Sequence, residues 1–351
     1  MFTTRQSNPQ ELNMNSLSTK GVFLFDIEVE LAWGIIDKQI DRKGLRNASE
    51  KVREHLDNIL FLLNKYSIPV TWGIVGHLIL SRCESGSGMA HPEMPRPSYS
   101  WKASDWYEND PCKTLAEEPA FYGKDVVDTI VEYTMKTQNP EDIACHSFSH
   151  QIFGDPGCND AVAEAEVKRC SSLLKENYGI HPRVFIFPRD SVGHLDVLRK
   201  EGYLSFRGPI PRSITYSETD AGILTRFRKN ISLAIYLASF YASVPPPVVS
   251  PRIENELVNV PASLCYNKKP FIALSLIVKK AKRGIDRAVK EKKIFHLYTH
   301  LINLGVAPKP EAFIKGLEDI LAYANSEREE KKLDIMTLHQ LAESHKRHLQ
   351  Y

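Results

Sequence analysis

GVFLFDIE, residues 21–28, is apolar almost to its end and finishes on two acids spaced two residues apart. A run this short, rich in Val and Phe and without helical spacing of polar positions, reads as a buried strand. SEKVREHLDNILFLLNKY (49–66) follows as an amphipathic helix behind a Ser start signal, and IPVTWGIVG (68–76) is a second apolar strand. This β-α-β rhythm continues down the chain. GKDVVDTIVEYTMKT (123–137) reads as helix, DIAC (142–145) as strand, 160–179 as helix, RVFIFP (183–188) as strand and HLDVLRKEGY (194–203) as a helix ending at Gly202. KNISLAIYLASFYA (229–242) reads as helix, SVPPPVVSP (243–251) breaks the chain, and LVNVP (257–261) is a short strand. A long helix (271–293), the strand KIFHLYTH (293–300) and helices near 309–326 and 337–348 complete the pattern. Strands alternating with helices predict an α/β protein, a parallel sheet or barrel covered by helices.

The stretch 83–122, rich in Gly, Pro, Ser and Trp, is too long for an ordinary connection and reads as an insertion over one face of the domain. Residues 1–20 are polar and read as a mobile leader. No internal repeat and no second composition regime interrupts 21–351, which is expected to form a single domain.

A chain of 351 residues can bury a sizeable core, and 42% hydrophobic with 25% charged residues excludes disordered and fibrous classes. Net charge is +2, and the one basic cluster, KKAKRGIDRAVKEKK (279–293), alternates with apolar positions at helical spacing. It reads as a solvated helix face, so no nucleic-acid partner is expected. Six cysteines (Cys83, Cys112, Cys145, Cys158, Cys170, Cys265) lie scattered without a C-x-x-C pair and read as reduced thiols. The N-terminus has no apolar signal core and no stretch offers about 18 uninterrupted apolar residues, so a cytoplasmic protein without a membrane span is expected.

Asp26 and Glu28 sit at i and i+2 on a strand, so both carboxylates point the same way, about 6–7 Å apart. One can bind a metal while the other acts as a base; Glu30 shares the phase, so the pattern does not exclude it as the ligand. Simple solvated acids at a strand end are the alternative. HSFSH (146–150) puts His146 and His150 where the DIAC strand ends, the place functional loops emerge in parallel α/β folds. A helical turn there would bring the two side chains together on one face. Alone they could be loop histidines; beside an acidic strand end they make a two-His, one-carboxylate set with open positions.

HLYTH (296–300) has the same spacing, but on a strand its histidines stand about 13 Å apart and cannot share an ion. His300, at the strand end, is the candidate general acid, and His296 reads as a satisfied core histidine. In FPRDS (187–191), Arg189 reaches the same sheet edge, where it would keep Asp26 ionised, or else answers Asp190 at the surface. Trp33, Trp72, Trp101 and Trp106 read as core or lid packing.

Taken in order, FDIE, VTWGIVGHLIL, HSFSH, FPRDSVGHLDVLRKEGYLSFRG and FHLYTH resemble the polysaccharide deacetylase (NodB-homology) family, over residues 21 to 345. The resemblance implies a distorted (β/α) barrel and one divalent metal held by a carboxylate and two histidines. Carried over, Asp26 would be the base, Glu28 the ligand with His146 and His150, and His300 the acid, while Arg189 follows Pro188 rather than preceding it as the family's arginine does. Three departures stand out. Asp-x-Glu replaces adjacent Asp-Asp, Ile186 stands where the family has Arg before its Pro, and no Asp-Trp motif is found to orient His300. The implied activity is metal-assisted removal of an N-acyl group, above all N-acetyl, from an amino sugar or glycan intermediate of surface-polysaccharide biosynthesis. Two His and a carboxylate suit zinc, and also iron, cobalt, nickel or manganese. Two alternatives are a related hydrolase of formamides, small cyclic amides or O-acetyl esters, and a catalytically silent carbohydrate-binding relative. Nothing in the sequence speaks to oligomeric state.

Overall fold

Gly21–Val29 (β1) is the central strand, and all nine of its residues are buried. The structure is a computed structural model and describes residues 10–11, 19–83, 85–86, 88–139, 141–211, 237–267 and 272–349. After β1 come α1 (Arg42–Lys65), β2 (Thr71–Ile74), α2 (Lys124–Lys136), β3 (Asp142–Cys145), α3 (Asp160–Tyr178), β4 (Val184–Ile186), α4 (Leu195–Lys200) and β5 (Ser205–Gly208). The second half supplies β6 (Leu257–Pro261), β7 (Leu264–Cys265), α5 (Leu274–Glu291), β8 (Ile294–His300), α6 (Ile302–Val306), α7 (Pro310–Glu329), β9 (Leu333–Ile335) and α8 (Leu338–Leu349).

Eight of these strands pair in parallel in the order β6, β5, β4, β3, β2, β1, β8, β7. β9 joins β1 at Gly21–Phe23, while β2 pairs with it further on, at Asp26–Val29. The sheet curls into a distorted (β/α) barrel. Its two ends are linked by the chain itself: Ala262 N–H donates to the Gly208 carbonyl at 2.9 Å, and Ser263 N–H to the His296 carbonyl at 2.8 Å. One segment thus changes neighbours within two residues where a regular barrel would continue its ladder.

Alternation along β1 divides the core in two. Phe23, Phe25, Ile27 and Val29 join the large outer cluster under the helices. Val22 and Leu24 face inward, onto Ala144, Val184, Ile186, Val258 and Ile294, and onto Leu338 and Leu341 of α8. Each of the Val, Leu and Ile side chains contributes about 1.5–3 kcal/mol by leaving water. α8 closes this end of the barrel, with Leu338 N–H donating to Thr71 Oγ1 at 3.1 Å. The inward row then continues through Asp26 and Glu28, so it changes from apolar to acidic on its way to the C-terminal mouth. Space inside is tight: a Cβ on Gly73 would meet Ile186 Cδ1 at 2.9 Å.

Most of the expected elements are present, with differences of local origin. α1 starts at Arg42, well before residue 49, because the Asp41 side chain caps it by accepting from Gly44 N–H at 3.0 Å. The helix expected over 194–203 spans only Leu195–Lys200, followed by Gly202 at φ 83°. β5, β7 and β9, all four residues or fewer, are too short for periodicity to declare them. The helix expected over 229–242 lies outside the described residues up to 236, and most of the expected leader does too. Gln10–Glu11 are described, pairing antiparallel with Ile253 and Arg252. Trp33, Trp72 and Trp106 are buried, while Trp101 is exposed and stacked on Tyr99. Among the described residues no helix is long and apolar enough to cross a membrane.

Candidate metal centre

The C-terminal ends of β1, β3, β5 and β8 deliver Glu28 and Glu30, His146 and His150, Arg207, and His300 to one mouth. The HSFSH loop is not helical. Ser147 and His150 take left-handed backbone angles (φ 60° and 63°), and His150 N–H donates to Ser147 Oγ at 2.8 Å. This folding brings the two imidazoles to a centroid distance of 5.0 Å. Glu166 of α3, itself buried, anchors the loop by accepting from both Ser149 N–H and Ser149 Oγ at 2.7 Å.

His146 Nδ1 donates to the Ile186 carbonyl at 2.7 Å, which turns Nε2 toward the carboxylates as the atom that would bind an ion. Nε2 stands 3.2 Å from Glu28 Oε2 and 3.7 Å from Glu30 Oε2, and His150 Nε2 is 3.1 Å from Glu30 Oε2. The ligand atoms of Glu30, His146 and His150 all lie within 4.8 Å of one another, as do those of Glu28, Glu30 and His300. His146 Nε2 is buried without a hydrogen-bond partner. Two imidazoles and a carboxylate, one ring fixed by a carbonyl, fit a divalent metal ion.

Burial alone would raise the carboxyls here, but Arg207, His300 and His146 outweigh it and hold Glu28 well below the carboxylate range. Glu30 is lowered likewise against burial, by His300, His146 and His150. Burial opposes charge on His146, yet the two carboxylates carry it up to about 9. Burial, with the nearby charges of His146 and Arg189, prevails at His150 and lowers it. His300 is the open side of the mouth, with 27% of its side chain exposed and its Nε2 3.4 Å from Glu28 Oε2. Asn303 Nδ2 lies 3.5 Å from its Nδ1.

Asp26 occupies a deeper layer. It is fully buried, and its Oδ2 is 2.6 Å from His296 Nε2. His296 is therefore a core histidine whose partner is the acid singled out as the base. Arg189 does not join the group: it sits at φ 54° and its Nη2 contacts Asp37. The arginine that reaches the carboxylates is Arg207, 1% exposed, with Nη1 2.6 Å from Glu28 Oε1 and 3.8 Å from Asp26 Oδ2. Its Nη2 donates to Asp190 Oδ1 at 2.8 Å, and its guanidinium lies over the Tyr298 ring at 4.1 Å. Sequence reasoning missed Arg207 because SFRG is a four-residue strand. The available signal was the β-α rhythm, which calls for a strand directly after Gly202.

No protein-family model and no curated protein sequence matches the chain. Solved structures do. A structure assigned as a polysaccharide deacetylase from Mycobacterium smegmatis aligns over 96% of this chain and 93% of its own, with 14% identity and TM-score 0.55. One from Pseudomonas aeruginosa PAO1, also assigned as a polysaccharide deacetylase, aligns over 92% and 90% with 12% identity and TM-score 0.54. Puue allantoinase aligns over 96% and 94% with 13% identity and TM-score 0.55. The chain has the fold shared by these polysaccharide deacetylases and Puue allantoinase, with its candidate metal centre at the C-terminal mouth of the barrel.

Proposed function

We propose that this protein is a metal-dependent hydrolase that removes an N-acyl group, above all N-acetyl, from an amino sugar or glycan intermediate. The observation that supports it most is the single mouth shared by Glu30, His146 and His150 as a ligand set, Glu28 as an arginine-held carboxylate, and His300 at the open edge. In this reading Glu30 is the metal carboxylate and Glu28 the base, each two residues further along β1 than the motif comparison alone suggests. A divalent ion, zinc or another transition metal, would be held by Glu30, His146 and His150 and would supply Lewis acidity toward an acyl oxygen and a water. Arg207 keeps Glu28 ionised and aimed, so Glu28 takes the proton as water attacks the acyl carbon. His300, close to both carboxylates and reachable from outside, protonates the leaving amine. Asp26 and His296 support the layer beneath.

A small cyclic amide is the second substrate class, favoured by the equal TM-score to Puue allantoinase. The deciding experiment assays N-acetyl amino sugars, O-acetyl esters, formamides and small cyclic amides with metal-loaded parent, chelated parent and Glu28→Gln. Turnover of an N-acetyl sugar that needs metal and collapses in Glu28→Gln is expected. Glycan binding with no metal-dependent turnover of any class would leave a silent carbohydrate-binding protein instead.

A further inference from the structure

A second group of metal-ligating side chains lies behind the HSFSH loop, inside the insertion. His77 comes from the 3-10 turn Gly76–Ile79 that follows β2, and Cys83, His91 and Asp110 from the insertion itself. All four are buried, and one ligand atom of each lies within 4.8 Å of the others. His77 Nε2 is 3.0 Å from His91 Nε2, and these nitrogens stand 3.1 and 2.9 Å from Asp110 Oδ2. Cys83 Sγ is 3.6 Å from the same oxygen.

The surroundings of each side chain select what faces the centre. His77 Nδ1 is 3.3 Å from the Phe121 carbonyl and His91 Nδ1 is 3.3 Å from Glu93 Oε1. Both partners accept hydrogen bonds, so a proton on each Nδ1 leaves both Nε2 atoms converging on Asp110 as donors to an ion. Asp110 Oδ1 is occupied elsewhere, accepting from Cys112 N–H at 3.0 Å and Tyr122 OH at 3.4 Å. Oδ2 is left for the centre. Two imidazole nitrogens, a carboxylate oxygen and a thiol thus meet at one dry point, where a bound cation would offset their crowded lone pairs.

We propose that His77, Cys83, His91 and Asp110 bind a second divalent ion of zinc type, structural in role and distinct from the one at the barrel mouth. The donor set suits zinc: two imidazoles, a thiolate and a carboxylate, four protein ligands with no open position. The wall is aromatic, with Trp33, Tyr107, Tyr122 and Phe148 around the two imidazoles. Phe148 is the middle residue of HSFSH, and His77 N–H donates to its carbonyl at 2.9 Å. The ion pins the insertion against the back of the loop whose other face presents His146 and His150. Binding forms the metal–sulfur bond as the Cys83 thiol releases its proton to solvent.

Cys112 Sγ lies 2.6 Å from Cys83 Sγ, so a disulfide between them is the competing chemistry. A hydrogen-bonded His-Asp-His network without metal is the other. The test uses the full chain loaded with Co²⁺, reading metal stoichiometry and the sulfur-to-cobalt charge-transfer absorption. About two equivalents are expected in the parent. The His146→Ala/His150→Ala variant should keep one of them together with the sulfur band, while Cys83→Ser and, separately, Asp110→Asn lose or alter that band. Absence of the band in both the parent and the His146→Ala/His150→Ala variant overturns the proposal without requiring any insertion variant to fold. So does its persistence in Cys83→Ser, or a Cys83–Cys112 disulfide found by mass after alkylation of the unfolded, unreduced chain.

Discussion

His296 Nε2 stands 2.6 Å from Asp26 Oδ2, and both side chains are sealed from solvent. The other Asp26 oxygen has no hydrogen-bond partner, so the histidine is its main anchor. His296→Ala should therefore destabilise the fold by about 3–5 kcal/mol, because it removes the close partner of buried Asp26 and leaves only Arg207, 3.8 Å from the same oxygen. Removing both side chains should cost less than the sum of the two single losses. Denaturant melts of the double-mutant cycle check this; strict additivity would mean the pair is not coupled.

Arg207 and Arg189 are separated by a clear expectation. Arg207→Lys keeps the charge but cannot span Glu28 and Asp190 at once, so kcat should fall about 10–100-fold, with the basic-group limb of the pH–rate profile moved upward. Arg189→Ala removes the contact with Asp37 and a nearby charge felt by His150, but no contact with Glu28 or Glu30, and should change kcat far less than Arg207→Lys does. The reverse ranking would restore Arg189 to the site.

Glu28 and Glu30 can be told apart by metal content. Glu30→Gln should lose the mouth-bound ion, whereas Glu28→Gln should retain it and lose about 10²–10⁴ in turnover. Quantifying metal against protein in both variants decides it, and loss of metal only in Glu28→Gln would make Glu28 the ligand.

Glu141 gives a pH dependence independent of the mouth. Burial lifts its carboxyl to about 8, against hydrogen bonds from Trp72 Nε1 and Val70 N–H. The folded protein then holds a proton that the unfolded chain releases above the ordinary value of 4.5. The stabilisation is complete below that value and is lost as pH rises through about 8. Glu141→Gln keeps an acceptor for both donors and should melt higher than the parent at alkaline pH while matching it in acid. Parallel melting curves across pH would show that Glu141 is not the group responsible.

The β-α order, the buried strand at 21–28 and the histidines at 146, 150 and 300 were legible because each follows from hydrophobic period or from a strand end. Depth was not. Asp26, Glu28 and Glu30 share one face, and only the positions of His296 on the neighbouring β8 and of Arg207 across the barrel show which acid reaches the mouth. His146 and His150 meet through two left-handed residues, a geometry that i, i+4 counting does not encode. The second cluster escaped notice because His77, Cys83, His91 and Asp110 lie far apart along an irregular segment, where spacing carries no period to read.

The placement of β1 beside β8 has a consequence for biosynthesis. The Asp26–His296 contact spans 270 residues of sequence, so the strand bearing the acids leaves the ribosome long before its partner is made. Until then Phe23, Phe25 and Ile27 have an incomplete sheet to rest on, and the nascent chain is open to chaperones and to aggregation. Stalled or truncated translation products lacking β8 would carry every residue of HSFSH and yet no working centre.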